Sequence, residues 1–205
     1  MATQLFVRGS VGPTLSPPSG QTYGLLSPRT GGSSQNITTT LTAGGTAIDA
    51  TTTAAGTTKI YWLTEPLLEA VTISGTVTIQ LRGLQGNVDA NACLGAIIER
   101  TDNAGTPIST IINDTVPNPA VELATAGVSY VDTYTPTSTT FNVGDRIKLT
   151  VQFRNFGTMG AFTATFNFDA QTLANAPYIT FTEDFATDAP VEQRAYEIYG
   201  SNAYR

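Results

Sequence analysis

The chain has 205 residues, a net charge of −6, two Lys, eight Arg, one Cys and no His. So acidic a balance lacks the basic face that a phosphate-backbone binder needs, and no nucleic-acid partner is expected. Without His, most metal centres and most activated Ser or Cys nucleophiles lose their usual ligand or base.

Hydrophobic residues make up 40% of the chain, enough for a packed core, while charged residues make up only 13%. Soluble domains typically carry about 25% charged residues. Thr fills the difference at about one residue in six, and Thr is β-branched and favours strands. A Thr-rich, charge-poor surface suits a protein that lies against other proteins. No apolar run approaches the ~20 residues of a membrane span, so no membrane partner is expected. The opening MATQLFVRGS lacks a basic stretch followed by an apolar one, so no secretory signal is expected.

Residues 1–58 are set apart by composition. Between Ser10 and Thr58 the only charges are Arg29 and Asp49, among four prolines, paired glycines and threonine runs. Such a stretch should not build a core of its own. It reads as an extended arm, with Leu5, Phe6, Val11, Leu15, Tyr23, Leu25 and Leu26 as anchors on a neighbouring subunit, and a disordered N-terminus is the alternative. Residues 35–42 are a short strand candidate within it.

From Lys59 the pattern changes. KIYWLT reads as a strand that Glu65-Pro66 ends, with Trp62 in the core. Val71–Arg82 alternates, with Val71, Ile73, Val77, Ile79 and Leu81 on one face and Thr, Ser, Gln and Arg on the other. Gly75, mid-run, marks a bulge or a close approach. CLGAIIERT, TPISTII and VSYVDTYT are further strands, with a turn at Asp102–Gly105. Cys93, between Ala92 and Leu94, reads as a core thiol. A helix over 119–126 is a weak alternative to loop. Phe141–Asp145 is a tight turn. RIKLTVQFR and AFTATFNFD alternate cleanly, and YITFTEDF closes the series. About eight strands therefore fall in 59–185. This is an all-β chain, an antiparallel β-sandwich of jelly-roll-like form with an extended N-terminal arm. Residues 186–205 form an acidic tail whose Tyr196, Tyr199 and Tyr204 are candidate docking anchors, with a short helix over 190–199.

Chemistry is sparse along the chain. A glycoside hydrolase needs two carboxylates about 5–10 Å apart across a cleft. Glu65 with Glu69, Asp89, Asp102, Asp132 and Asp145 are the acids in range, and Asp102 and Asp145 sit where Asp bonds its own turn. Asn87, Asp89 and Asn91 are the best local oxygen cluster for calcium, and ordinary loop residues too. Phosphate-cradling glycine motifs are absent. Tyr61, Tyr130 and Tyr134 could stack on a sugar or meet a subunit. No catalytic residue, cofactor or resident metal is expected.

The stretches YWLTEPLLEAVTISGTVTIQLRGLQGNVDANACLGAIIER, TPTSTTFNVGDRIKLTVQF, GTMGAFTATFNFD and YITFTEDF, within residues 60–185, resemble a family of tailed-bacteriophage virion proteins. The shared features are a TEP loop, a long strand, a GDRI strand and a terminal TFTE strand. The resemblance implies a jelly-roll-like structural module on the head or tail of a particle. The expectation is a non-enzymatic virion component, attached through its arm and tail to other virion proteins. A homo-oligomer, a trimer by preference, is the default for such parts. A carbohydrate-binding module for a host-surface glycan is the alternative.

Overall fold

Period-two alternation sets most elements of the computed structural model, which describes residues 2–9, 12–15, 21–28, 34–41, 47–49, 59–114, 122–156, 161–168 and 175–187. The strands are β1 (Thr3–Arg8), β2 (Gln21–Ser27), β3 (Gln35–Leu41), β4 (Ala47–Asp49), β5 (Lys59–Thr64), β6 (Val71–Ile73) and β7 (Val77–Gln85). They continue as β8 (Ala92–Thr101), β9 (Pro107–Asn113), β10 (Val128–Tyr134), β11 (Thr139–Phe141), β12 (Arg146–Asn155), β13 (Phe162–Phe168) and β14 (Tyr178–Phe181). The described residues hold no α-helix, only a 3-10 turn at Val88–Ala90. The described part of the helix alternative, 122–126, is irregular.

One ladder runs β3-β13-β7-β14-β1-β2-β5-β12-β8-β9, with β10 on the other edge of β7 and β4 beside β5 on β12. It folds back on itself into two facing layers. Trp62 of β5 meets Phe166 and Phe168 of β13 edge-on, with ring centroids 5.5 and 5.6 Å apart. A Cβ on Gly83 of β7 would stand 3.0 Å from Leu94 of β8. The interior is filled by alternate residues of these strands, among them Ile79, Leu149, Val151, Phe153, Phe166 and Phe181, all essentially buried. The β-sandwich expectation is therefore met, with two refinements. Ten strands, not about eight, lie among the described residues from Lys59 onward, and β2 pairs with β5 in parallel while every other named pair is antiparallel.

The N-terminal arm is corrected. β1 hydrogen-bonds both β14 and β2, β2 extends β5, β3 pairs with β13 and β4 with β12. The described strands of residues 1–58 are thus rungs of the sandwich. Composition missed this because a low-charge segment can take its core from strands far away in sequence.

Val71–Arg82 is split in two. β6 pairs with β11 in a separate two-stranded sheet, and β7 resumes at Val77 in the main ladder. Gly75 sits at the break, where a Cβ would be driven into Thr182 Oγ1. The close approach lets Ser74 and Gly75 N–H donate to Glu183 Oε1 at 2.8 and 2.6 Å. Burial pushes the Glu183 carboxyl up, but these two backbone bonds hold it below its ordinary value. Cys93 is buried, and burial pushes its thiol up to about 12 against the opposing charge of Arg154. A thiol held protonated this firmly is inert.

Candidate functional site

The expected anchors divide into two groups. Leu5, Phe6, Tyr23, Leu25 and Leu26 are all buried within the chain's own sandwich. This corrects their assignment to a neighbour, because strand pairing turns them inward. Phe6 packs edge-on against Tyr178 at 6.2 Å, and Tyr23 lies 6.4 Å from Tyr61. Tyr196, Tyr199 and Tyr204, with the helix expected over 190–199, lie outside the described residues.

The acids take structural places. Glu65 is buried against Arg146 at 3.2 Å and accepts from Thr14 N–H and Oγ1, both at 2.9 Å. Glu69 is exposed, so the two do not form a pair across a cleft. Asp102 accepts from Thr106 N–H at 2.8 Å inside its turn. Asp145 accepts from Asn142 N–H at 2.7 Å and pairs with Arg100 at 2.6 Å. Asn87 caps the 3-10 turn by accepting from Asp89 N–H at 2.9 Å, and Asn91 ends it with φ of 50°. That cluster is turn chemistry. No metal-holding group of three or more acidic, Cys or His residues occurs among the described residues. Trp62 is fully buried and Tyr61 nearly so, which leaves neither ring face to a sugar.

Asp132 and Tyr134 of β10, with Asp114 after β9, meet at one open end of the sandwich. The Tyr134 hydroxyl donates to Asp114 Oδ2 at 2.6 Å. Burial first, then the Asp114 carboxylate, pushes the Tyr134 phenol up. The cleft between them and β8 has a volume of about 20 Å³, room for one water and no sugar ring. Its geometry is that of a latch tying edge strand β10 to the end of β9. Burial and then the Asp114 charge raise the Asp132 carboxyl above its ordinary 3.8, against the opposing bond from Tyr134. A carboxyl raised on folding stabilises below its unfolded value and loses that contribution as pH climbs through its folded value. Asp132→Asn is therefore expected to raise Tm at neutral pH, with the gain vanishing below 3.8. Thermal melts across that range check it, and a loss of Tm at neutral pH would contradict it.

Two features lie on the outward side of β7 and β13. One is a ladder of uncharged polar pairs. Thr38 and Thr165 hydroxyls meet at 2.9 Å, and Asn167 Nδ2 donates to Asn36 Oδ1 at 2.6 Å. The register continues with Thr40 opposite Thr163. The other is a fork. β7 pairs with β13 at Gly83–Gln85 and with β14 at Val77–Gln80 on the same edge. Between them a cleft of about 320 Å³ opens, lined by Ser34, Arg82, Gly127, Asn167 and Asn175 with Leu84 and Phe168. Arg82 Nη1 donates to Asn175 Oδ1 at 2.9 Å. Asn167, Asn175 and Asp114 carried no signal in the sequence. Arg82 was visible only as one wet-face residue among several, since what singles it out is where two distant strands part.

Neither a protein-family model nor a curated protein matches this chain. Solved structures do match in fold. A CocE/NonD family hydrolase from Staphylococcus aureus superposes with a TM-score of 0.53 at 10% identity, over 88% of this chain and 36% of that one. An aminopeptidase from the marine sediment archaeon Thaumarchaeota archaeon gives 0.54 at 14% identity, over 89% of this chain and 37% of its own. The chain thus spans little more than a third of these hydrolases. They correct the expectation of a non-enzymatic chain, because the fold is one that hydrolases carry. At such identity the likeness is one of fold.

Proposed function

We propose that the chain is a β-sandwich interaction module of a bacteriophage particle, attached to other virion proteins through the outward face of β3 and β13. The observation that carries this reading is the face itself. Asn36, Thr38, Thr40, Thr163, Thr165 and Asn167 alternate outward without one charge, and the Thr38–Thr165 and Asn36–Asn167 bonds fix four of these side chains before any partner arrives. Such a surface loses little rotamer entropy and desolvates no charge on docking. The phrases shared with tailed-phage proteins support the virion setting. With the N-terminal strands built into the sandwich, this face takes over the attachment role first given to the arm.

Thr38→Glu with Thr40→Glu tests it. Both side chains are exposed, so stability should change by less than ~1 kcal/mol. The variant should be missing from purified particles, and incorporation at the normal level would refute the attachment face.

The fold likeness to hydrolases favours a second reading, in which the sandwich is one part of a larger hydrolase. Co-purification of a hydrolase activity, aminopeptidase included, with the tagged chain would support it.

A further inference from the structure

We propose that the fork cleft is a binding site for a carboxylate-bearing sugar, a uronic acid, with Arg82 as its anion contact and Asn167 as its hydroxyl contact. The cleft exists because β7 hands one edge from β13 to β14, leaving Leu81 and Arg82 without a ladder partner there. Its volume of about 320 Å³ falls at the small end of the ~300–1,000 Å³ of ligand pockets. Gly127 keeps it open: a Cβ there would stand 3.3 Å from both Arg82 Nη2 and Asn167 Oδ1.

Two polar demands meet in that space. Arg82 is held by the Asn175 amide oxygen, and no carboxylate among the described residues pairs with it. Its remaining donors form a fork that matches a carboxylate. Asn167 Oδ1 is buried without a hydrogen-bond partner among the described residues, while its Nδ2 is committed to Asn36. A buried acceptor left unpaired is costly, and a ligand hydroxyl would satisfy it. A bare anion answers Arg82 alone and a neutral sugar answers Asn167 alone. A molecule carrying both a carboxylate and hydroxyls answers both. Asn175 and Ser34 add polar rim, and Phe168 with Leu84 gives apolar backing.

The test is an amide NMR titration of the full chain with glucuronic acid, glucose and acetate in parallel. Glucuronic acid should shift the Arg82, Gly127, Asn167 and Asn175 signals saturably, binding ~10-fold or more tightly than either control, the worth of one charge-assisted contact. Arg82→Gln should abolish that preference and Gly127→Leu should abolish binding, both with the native spectrum elsewhere. No localised shift, or an equal response to acetate or glucose, would overturn the site. A glucuronate-terminated oligosaccharide separates the sources: tighter binding than the monomer assigns the cleft to a polysaccharide end, and weaker binding to a free sugar acid.

Discussion

A chain beginning at residue 28 is expected to be unfolded. Deletion of 1–27 removes β1, which bridges β14 and β2, and β2, which extends β5, so it cuts the ladder between its two layers. It also removes Leu5, Phe6, Val7, Tyr23, Leu25 and Leu26, none more than 8% exposed. At about 1.5–3 kcal/mol for each large apolar side chain, the burial of the six sums to roughly 9–18 kcal/mol. A domain of this size has only about 5–15 kcal/mol in hand. The exposed edges of β14 and β5 would then invite aggregation. Circular dichroism and a urea titration decide it: a cooperative transition with native near-ultraviolet signal would mean that β1 and β2 are an appended arm after all.

This is also where the sequence was least legible. Strands β12 and β13 could be read directly, because Ile147-Leu149-Val151-Phe153 and Phe162-Ala164-Phe166-Phe168 each mark one buried face. Gly75 could be singled out too, since a glycine inside such a run has a steric reason to be there. The N-terminal strands could not. Their alternation is short, and Leu25 and Leu26 are both buried in succession because β2 lies where the ladder passes from one layer to the other. The fork cleft was illegible for a related reason. It is made by two strands leaving one edge, and no local pattern in β7 records which partner it loses.

The phrases that carried the phage-protein resemblance turn out to touch. Thr64-Glu65-Pro66 lies against Asp145-Arg146-Ile147. Thr64 Oγ1 accepts from Ile147 N–H at 3.0 Å, and Thr64 O accepts from Arg146 Nη1 at 3.0 Å. Leu67 N–H donates to Asp145 O at 2.8 Å, and Gly144 N–H to Leu67 O at 2.9 Å. At the centre is the Arg146–Glu65 pair, with side chains 4% and 3% exposed. Arg146 Nε also donates to Asn103 O at 3.0 Å, and Glu65 holds Thr14 of the N-terminal segment. Burial lowers the Arg146 guanidinium from its ordinary value and Glu65 opposes that shift. An arginine stays charged even so.

Removing one partner of such a pair strands the other. Arg146→Ala is expected to destabilise the protein by about 3–5 kcal/mol, because among the described residues the Glu65 carboxylate keeps only the two Thr14 donors in a site closed to water. Replacing both partners at once, Arg146→Met with Glu65→Leu, should cost much less than Arg146→Ala alone, because neither charge is then left unpaired. Urea titrations of the three proteins measure this coupling. If the double variant is as unstable as the single one, the hydrogen bonds to Asn103 and Thr64, rather than charge pairing, hold the TEP loop to the strand.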